Sequence, residues 1–102
     1  MTHFGLEPKI LEKIVRVFQK YREVKQVILF GSRAKGTERP GSDIDLCIVG
    51  DLNDTLMLHI DNDLDDLLLP YQFDLVLKSK ITHPDLLDHI NQYGKTILCQ
   101  SA

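Results

Sequence analysis

Apolar residues recur along this chain in two alternating rhythms. Between Leu6 and Tyr21, the positions Ile10, Ile14, Val17, Phe18 and Tyr21 fall at helical spacing, with Lys9, Glu12, Lys13, Arg16 and Lys20 on the other side. That spacing predicts an amphipathic helix with Pro8 in its first turn. Val27 to Phe30 is continuously apolar and stops at Gly31, as a short buried strand does. Arg33 to Gly36 reads as one helical turn, and Thr37 to Ser42, with Pro40-Gly41, as a loop. Asp43 to Val49 alternates: Ile44, Leu46 and Ile48 share one face of a second strand, and Asp43, Asp45 and Cys47 the other. Helical spacing returns from Asn53 to Leu68 in Leu56, Ile60, Leu64, Leu67 and Leu68, and Pro70 ends it. Phe73 to Leu77 is a third strand, apolar except for Asp74. Thr82 then reads as the N-cap of a last helix whose buried stripe is Leu86, Leu87, Ile90 and Tyr93, with Gly94 beyond its end. Thr96 to Cys99 is a final strand or edge segment. Alternating helices and strands predict an α/β (α+β) fold, a small mixed sheet of three to four strands packed by helices.

Bulk properties narrow the picture by exclusion. At 102 residues the chain is expected to be one domain with a single core. Its 43% hydrophobic and 26% charged content is that of a soluble globular protein, and its formal charge of -3 is spread without a basic stripe. Duplex nucleic acid is therefore not expected as the main partner. No apolar run nears the ~20 residues of a membrane span, and MTHFGLEPK lacks the apolar stretch of a signal peptide, so a cytoplasmic location is expected. Cys47 and Cys99 read as small core residues.

The acids of the strands do not fit a purely structural account. Asp43 and Asp45, two apart on a strand, would point their carboxylates to one face ~6.6 Å apart. At about 7 Å and an effective dielectric of about 20 they repel by about 2 kcal/mol. Asp74 adds a third acid inside an apolar strand. Such a set calls for a hard cation, and Mg²⁺ accepts carboxylate oxygens while keeping waters and substrate phosphates; two such ions can clamp an in-line displacement. Gly31-Ser32, directly after a strand, supplies the complement: backbone that can approach a phosphate, N–H groups and a hydroxyl to donate to it. The spacing of a P-loop is absent.

Gly31-Ser32, ten residues, then Asp43-Ile44-Asp45 resembles the signature of the polymerase-β-type nucleotidyltransferase superfamily, with Asp74 where that superfamily has its third carboxylate. The stretch FGSRAKGTERPGSDIDL is most similar to the minimal nucleotidyltransferases, and the resemblance covers nearly the whole chain. It implies the nucleotidyltransferase fold and a set of roles. Asp43, Asp45 and Asp74 would be catalytic metal ligands, Asp74 alternatively the base toward the attacking hydroxyl. Gly31 and Ser32 would hold the β- and γ-phosphates, Arg33 and Lys35 would contact the triphosphate, and Ser42 would support the loop before the acids. It further implies Mg²⁺-dependent transfer of AMP from ATP to a hydroxyl, with a helical HEPN-type protein as partner and a tyrosine of that toxin as acceptor, in a homo- or hetero-oligomer. A non-catalytic antitoxin that masks its partner, and transfer to a small molecule, are the rival readings.

Three other groups of residues have no site role in this reading. Asp61 to Asp66 mimics the start of a calcium loop but has Asp66 where the glycine belongs and Gln72 where the closing glutamate belongs, so it reads as the charged face of a helix. His3, His59, His83 and His89 have no carboxylate or cysteine partner at metal-ligand spacing, apart from a loose His83/His89 pair across more than a helical turn, and are given no ligand role. Lys78 and Lys80 read as solvated.

Overall fold

The computed structural model describes residues 4–100. The order is α1 (Pro8–Gln19), β1 (Val24–Phe30), α2 (Ser32–Lys35), β2 (Ile44–Gly50), α3 (Asp54–Asp65), β3 (Phe73–Leu77), a 3₁₀ turn at Lys78–Lys80, α4 (Pro84–Tyr93) and β4 (Lys95–Cys99). The strands form one mixed sheet in the order β3-β2-β1-β4. β1 is antiparallel to both β2 and β4, whereas β2 and β3 run parallel. A parallel pair needs a crossover, and α3 supplies it.

β1 is buried on both faces, which is why Val27 to Phe30 is apolar without alternation. Val27 and Leu29 join Leu46 and Ile48 of β2, Ile14, Val17 and Phe18 of α1, and Ile60 and Leu64 of α3 in the main core. An irregular register between Val24 and Gln26 brings Val24 onto that same face. Ile28, Phe30 and Cys47 face the other way, against Ile90 of α4. Two helices thus cover one face of the sheet, and α4 covers the other.

Several expectations shift. β1 begins three residues earlier than its apolar run, and β2 begins at Ile44, so Asp43 lies just before the strand. α3 ends at Asp65, and Leu68 is 89% exposed at φ 55° rather than buried on a helix. The N-cap of α4 is His83, not Thr82. Cys47 is buried as expected, but Cys99 is exposed because β4 is an edge strand. His3 lies outside the described residues.

Asp63, from the acidic run of α3, does more than face solvent. It accepts a hydrogen bond from the Tyr21 hydroxyl and lies 3.4 Å from the Lys20 ammonium, tying the end of α1 to α3. The bond to Asp63 pushes the Tyr21 hydroxyl from 10.0 to about 12, and the same bond lowers the Asp63 carboxyl below its ordinary value. Tyr21→Phe should cost about 1 kcal/mol, a fall in Tm of roughly 4–8 °C. The raised Tyr21 value makes this stabilisation complete below about pH 10 and lost toward 12, and the lowered Asp63 value makes it complete above about pH 4 and lost below. Thermal melts of both proteins across pH should therefore differ most between those limits and converge outside them.

Candidate active site

The site gathers where the end of β1 meets the starts of β2 and β3. Phe30 pairs with Asp45, and Asp45 pairs in turn with Asp74 across the parallel ladder. Register therefore places Asp45 and Asp74 side by side, with Asp43 one residue before the strand. Asp45 is half-buried, while Asp43 and Asp74 are exposed. Burial pushes the Asp45 carboxyl above its ordinary value; Asp74 and then Asp43 push it further, and the Arg33 guanidinium partly offsets them. Asp45 is thus the carboxylate that both other acids act upon.

Among the described residues no three histidine, cysteine, aspartate or glutamate side chains close into a ready-made metal cage. A set of mutually repelling oxygen donors, open toward solvent, still fits Mg²⁺, which binds through one or two carboxylates and completes its shell with water and phosphate.

Gly31 stands against this cluster for a steric reason. Its φ is 77°, and a Cβ built on it would sit 2.1 Å from Asp45 Oδ2. Only glycine lets the turn and the carboxylate occupy adjacent space. Gly31→Ala should leave a folded protein, destabilised by about 1–3 kcal/mol, whose transfer activity falls at least about 100-fold as Asp45 is displaced. Gly36, at the end of α2, is the control: it shares the φ of 77° but has nothing within 4 Å of a built Cβ. Gly36→Ala should carry the backbone strain without the loss of activity.

α2 is a single turn. Lys35 N–H donates to the Gly31 carbonyl at 3.2 Å, and Thr37 N–H to the Ser32 carbonyl at 2.9 Å. The N–H groups of Ser32 and Arg33, first in the turn, have no helical carbonyl behind them. The Gly31 N–H is already engaged, donating to His89 Nε2 at 2.9 Å.

Arg33 is arranged differently from a phosphate contact. Its side chain is 3% exposed and turns inward, with Nη1 donating to the Phe4 carbonyl at 2.9 Å and Nη2 to the Ser42 carbonyl at 2.8 Å. Its guanidinium carbon lies 4.9 Å from the Tyr71 ring centroid. The residue is a clamp inside the loop. Ser42 completes that loop, its Oγ accepting from Arg39 N–H at 2.8 Å. Lys35 is exposed, and its ammonium lies 5.1 Å from the Tyr93 ring centroid. Lys80 pairs with Asp54 at 2.7 Å on the surface.

A cleft of about 420 Å³ opens beside Asp74, between α3 and β3, lined by Met57, Leu58, Asp61, Phe73, Asp74 and Leu75. Leu58 is 57% exposed there.

Comparison with known proteins adds the decisive observation. Residues 12–102 match the family model described as polymerase beta, nucleotidyltransferase. The chain belongs to that nucleotidyltransferase family. The nucleotidyltransferase is 45% identical over 49 residues to a proposed protein adenylyltransferase of Methanocaldococcus jannaschii, 46% of this chain and 49% of the relative. The match thus spans about half the length of that curated relative. Two solved structures have the same fold. A toxin–antitoxin crystallised with AMP-PNP matches at a TM-score of 0.72 and 22% identity, over 89% of this chain and 74% of the other. A complex of the tri-AMPylated HEPN toxin of Shewanella oneidensis with an MNT antitoxin matches at 0.67 and 19%, over 90% and 71%.

The sequence singles out Asp43, Asp45, Asp74 and the Gly-Ser turn as candidates, whereas His89 is considered there only as a metal ligand and Tyr93 only as part of a packing stripe. The available signal was that His89 falls on the same face of α4 as Leu86, Ile90 and Tyr93. A histidine on an apolar stripe needs a polar partner, and the Gly31 N–H is that partner.

Proposed function

We propose that this nucleotidyltransferase transfers AMP from ATP to a hydroxyl of a partner protein, a tyrosine of a HEPN-type toxin, and so acts as its antitoxin. The observation that carries the reading is the register of Asp45 beside Asp74, with Asp43 adjacent and Gly31 against Asp45. The family membership, the adenylyltransferase name of the relative and the AMPylated toxin among structures of this fold support it.

In this reading Asp43, Asp45 and Asp74 would hold Mg²⁺, which when bound would supply positive charge to neutralise the triphosphate and the charge that develops on the reacting oxygens. The N–H groups of Ser32 and Arg33 and the Ser32 hydroxyl orient the phosphates, with Lys35 on their flank. The acceptor oxygen bonds to the α-phosphorus as its bond to pyrophosphate breaks, and Asp74 takes the acceptor's proton. An acceptor entering by the cleft along Met57, Leu58 and Phe73 reaches Asp74 directly.

The test is incubation with α-labelled ATP, Mg²⁺ and a HEPN-type partner. Label on the partner, absent with Asp43→Asn, is the expected result. Neutralisation of the partner that survives Asp43→Asn without label would instead establish a masking antitoxin. Label on an added small molecule, with none on the partner, would move the acceptor class.

A further inference from the structure

The single turn of α2 is held from the opposite side of the sequence. Its two ends, Gly31 and Lys35, are four residues apart; so are His89 and Tyr93, one turn of α4. His89 Nε2 accepts the Gly31 N–H at 2.9 Å, and the Tyr93 ring lies 5.1 Å from the Lys35 ammonium. The two α4 rings lie against each other, centroids 5.4 Å apart, and His89 meets Phe30 edge-on at 6.1 Å. One helical turn is thus docked on another at both ends, residue 31 to 89 and residue 35 to 93.

We propose that His89 is a positioning residue for nucleotide binding, its Nε2 fixing the Gly31-Ser32 turn at its distance from Asp45, with Tyr93 holding the far end through Lys35. The inference rests on the functional reading above and assigns part of it to α4. The physical ground is that the turn is too short to hold itself: one hydrogen-bonded turn is below what stabilises a helix alone, and Gly31 has the widest conformational freedom of any residue. A turn left to itself would sample positions away from the acids. Accepting from Gly31 requires an Nε2 without a proton, so that the ring proton sits on Nδ1. Phe30 and Tyr93 both pack against the ring that makes this bond. His89 touches neither phosphate nor acceptor in this account; it acts through Gly31.

Two measurements test it. Nitrogen NMR of the wild-type protein near neutral pH should show His89 with its proton on Nδ1, and a proton on Nε2 would overturn the proposal. Binding of a non-hydrolysable ATP analogue with Mg²⁺, followed by calorimetry, should weaken at least about tenfold in His89→Phe, which keeps the ring and loses the acceptor. His89→Gln, whose amide oxygen can accept, should stay within about threefold of wild type. Both variants should melt within a few degrees of wild type, and in the transfer assay KM for ATP should rise in His89→Phe and recover in His89→Gln. Equal losses in the two variants, or a loss that follows Tm alone, would reduce His89 to packing and overturn the proposal. If wild type binds the analogue and His89→Phe binds it equally well, this inference alone falls. If wild type does not bind it at all, the functional reading falls and takes the inference with it.

Discussion

Asp45→Asn should lower nucleotidyl transfer by about 10³-fold or more and, at the same time, raise the melting temperature. The loss follows from replacing the central carboxylate of the set that would hold the metal by a neutral amide with one oxygen in place of two. The gain follows from the environment of the carboxyl, which burial, Asp74 and Asp43 all push toward its protonated form. An amide of the same shape removes that repulsion, and relief of even about 1 kcal/mol in a domain of this size corresponds to roughly 4–8 °C. The sign has a pH signature. The folded Asp45 value is raised above 3.8, so wild type loses stability as pH climbs through the interval between the unfolded and folded values. The advantage of the asparagine variant should be full near neutrality and vanish at pH values below the unfolded one. Melts at pH 7 and pH 3 measure it; a variant less stable than wild type at pH 7 would show that Asp45 serves the fold rather than opposing it.

Arg33→Ala should have the opposite character, a large loss of stability with activity lost as a consequence. The side chain is 3% exposed and donates to two carbonyls, Phe4 ahead of α1 and Ser42 immediately before Asp43. Truncation strands both acceptors and removes the cation that offsets Asp45, for a cost of about 2–4 kcal/mol and a fall in Tm of more than about 10 °C. Lysine should not rescue it, since one ammonium cannot span two carbonyls and stack on Tyr71 as a planar fork does. The third guanidinium nitrogen, Nε, has no hydrogen-bond partner among the described residues. A role for Arg33 at the triphosphate predicts something else: weaker ATP binding at unchanged Tm. Calorimetric Tm and nucleotide Kd measured on the same variant separate the two.

Arg33 also marks where sequence reading ends. Asp45 and Asp74 were legible as acids inside apolar strands, and Asp43 as the acid two residues before Asp45, although the strand on which the alternation placed it begins only at Ile44. The Gly-Ser turn was legible because a glycine after a strand is local chemistry. Which way a long basic side chain turns is not local. Arg33 is drawn inward by carbonyls of Phe4 and Ser42 and by the Tyr71 ring, contributed by segments whose approach depends on the folded loop. His89 escaped for the same reason, its partner being 58 positions away. Leu68 and Cys99 were misplaced because an apolar residue near a helix end or on an edge strand carries the same letter as one in the core. Register was invisible as well: sequence put Asp74 on a later strand, and the parallel pairing of β2 with β3 set it beside Asp45.

The order of strands in the sheet has a bearing on how the chain is made. β1, the strand that ends at the Gly31-Ser32 turn, is completed on one edge by β2 and on the other by β4, whose residues 95–99 leave the ribosome some fifty positions after Asp45. His89 arrives only shortly before them. Until then the growing polypeptide carries its acids and its Gly-Ser turn with an unpaired strand edge beside them, a condition that favours association with other chains. A nascent molecule would thus carry its acids and its Gly-Ser turn before residues 89–99 emerge to pack that turn and cover the edge of β1.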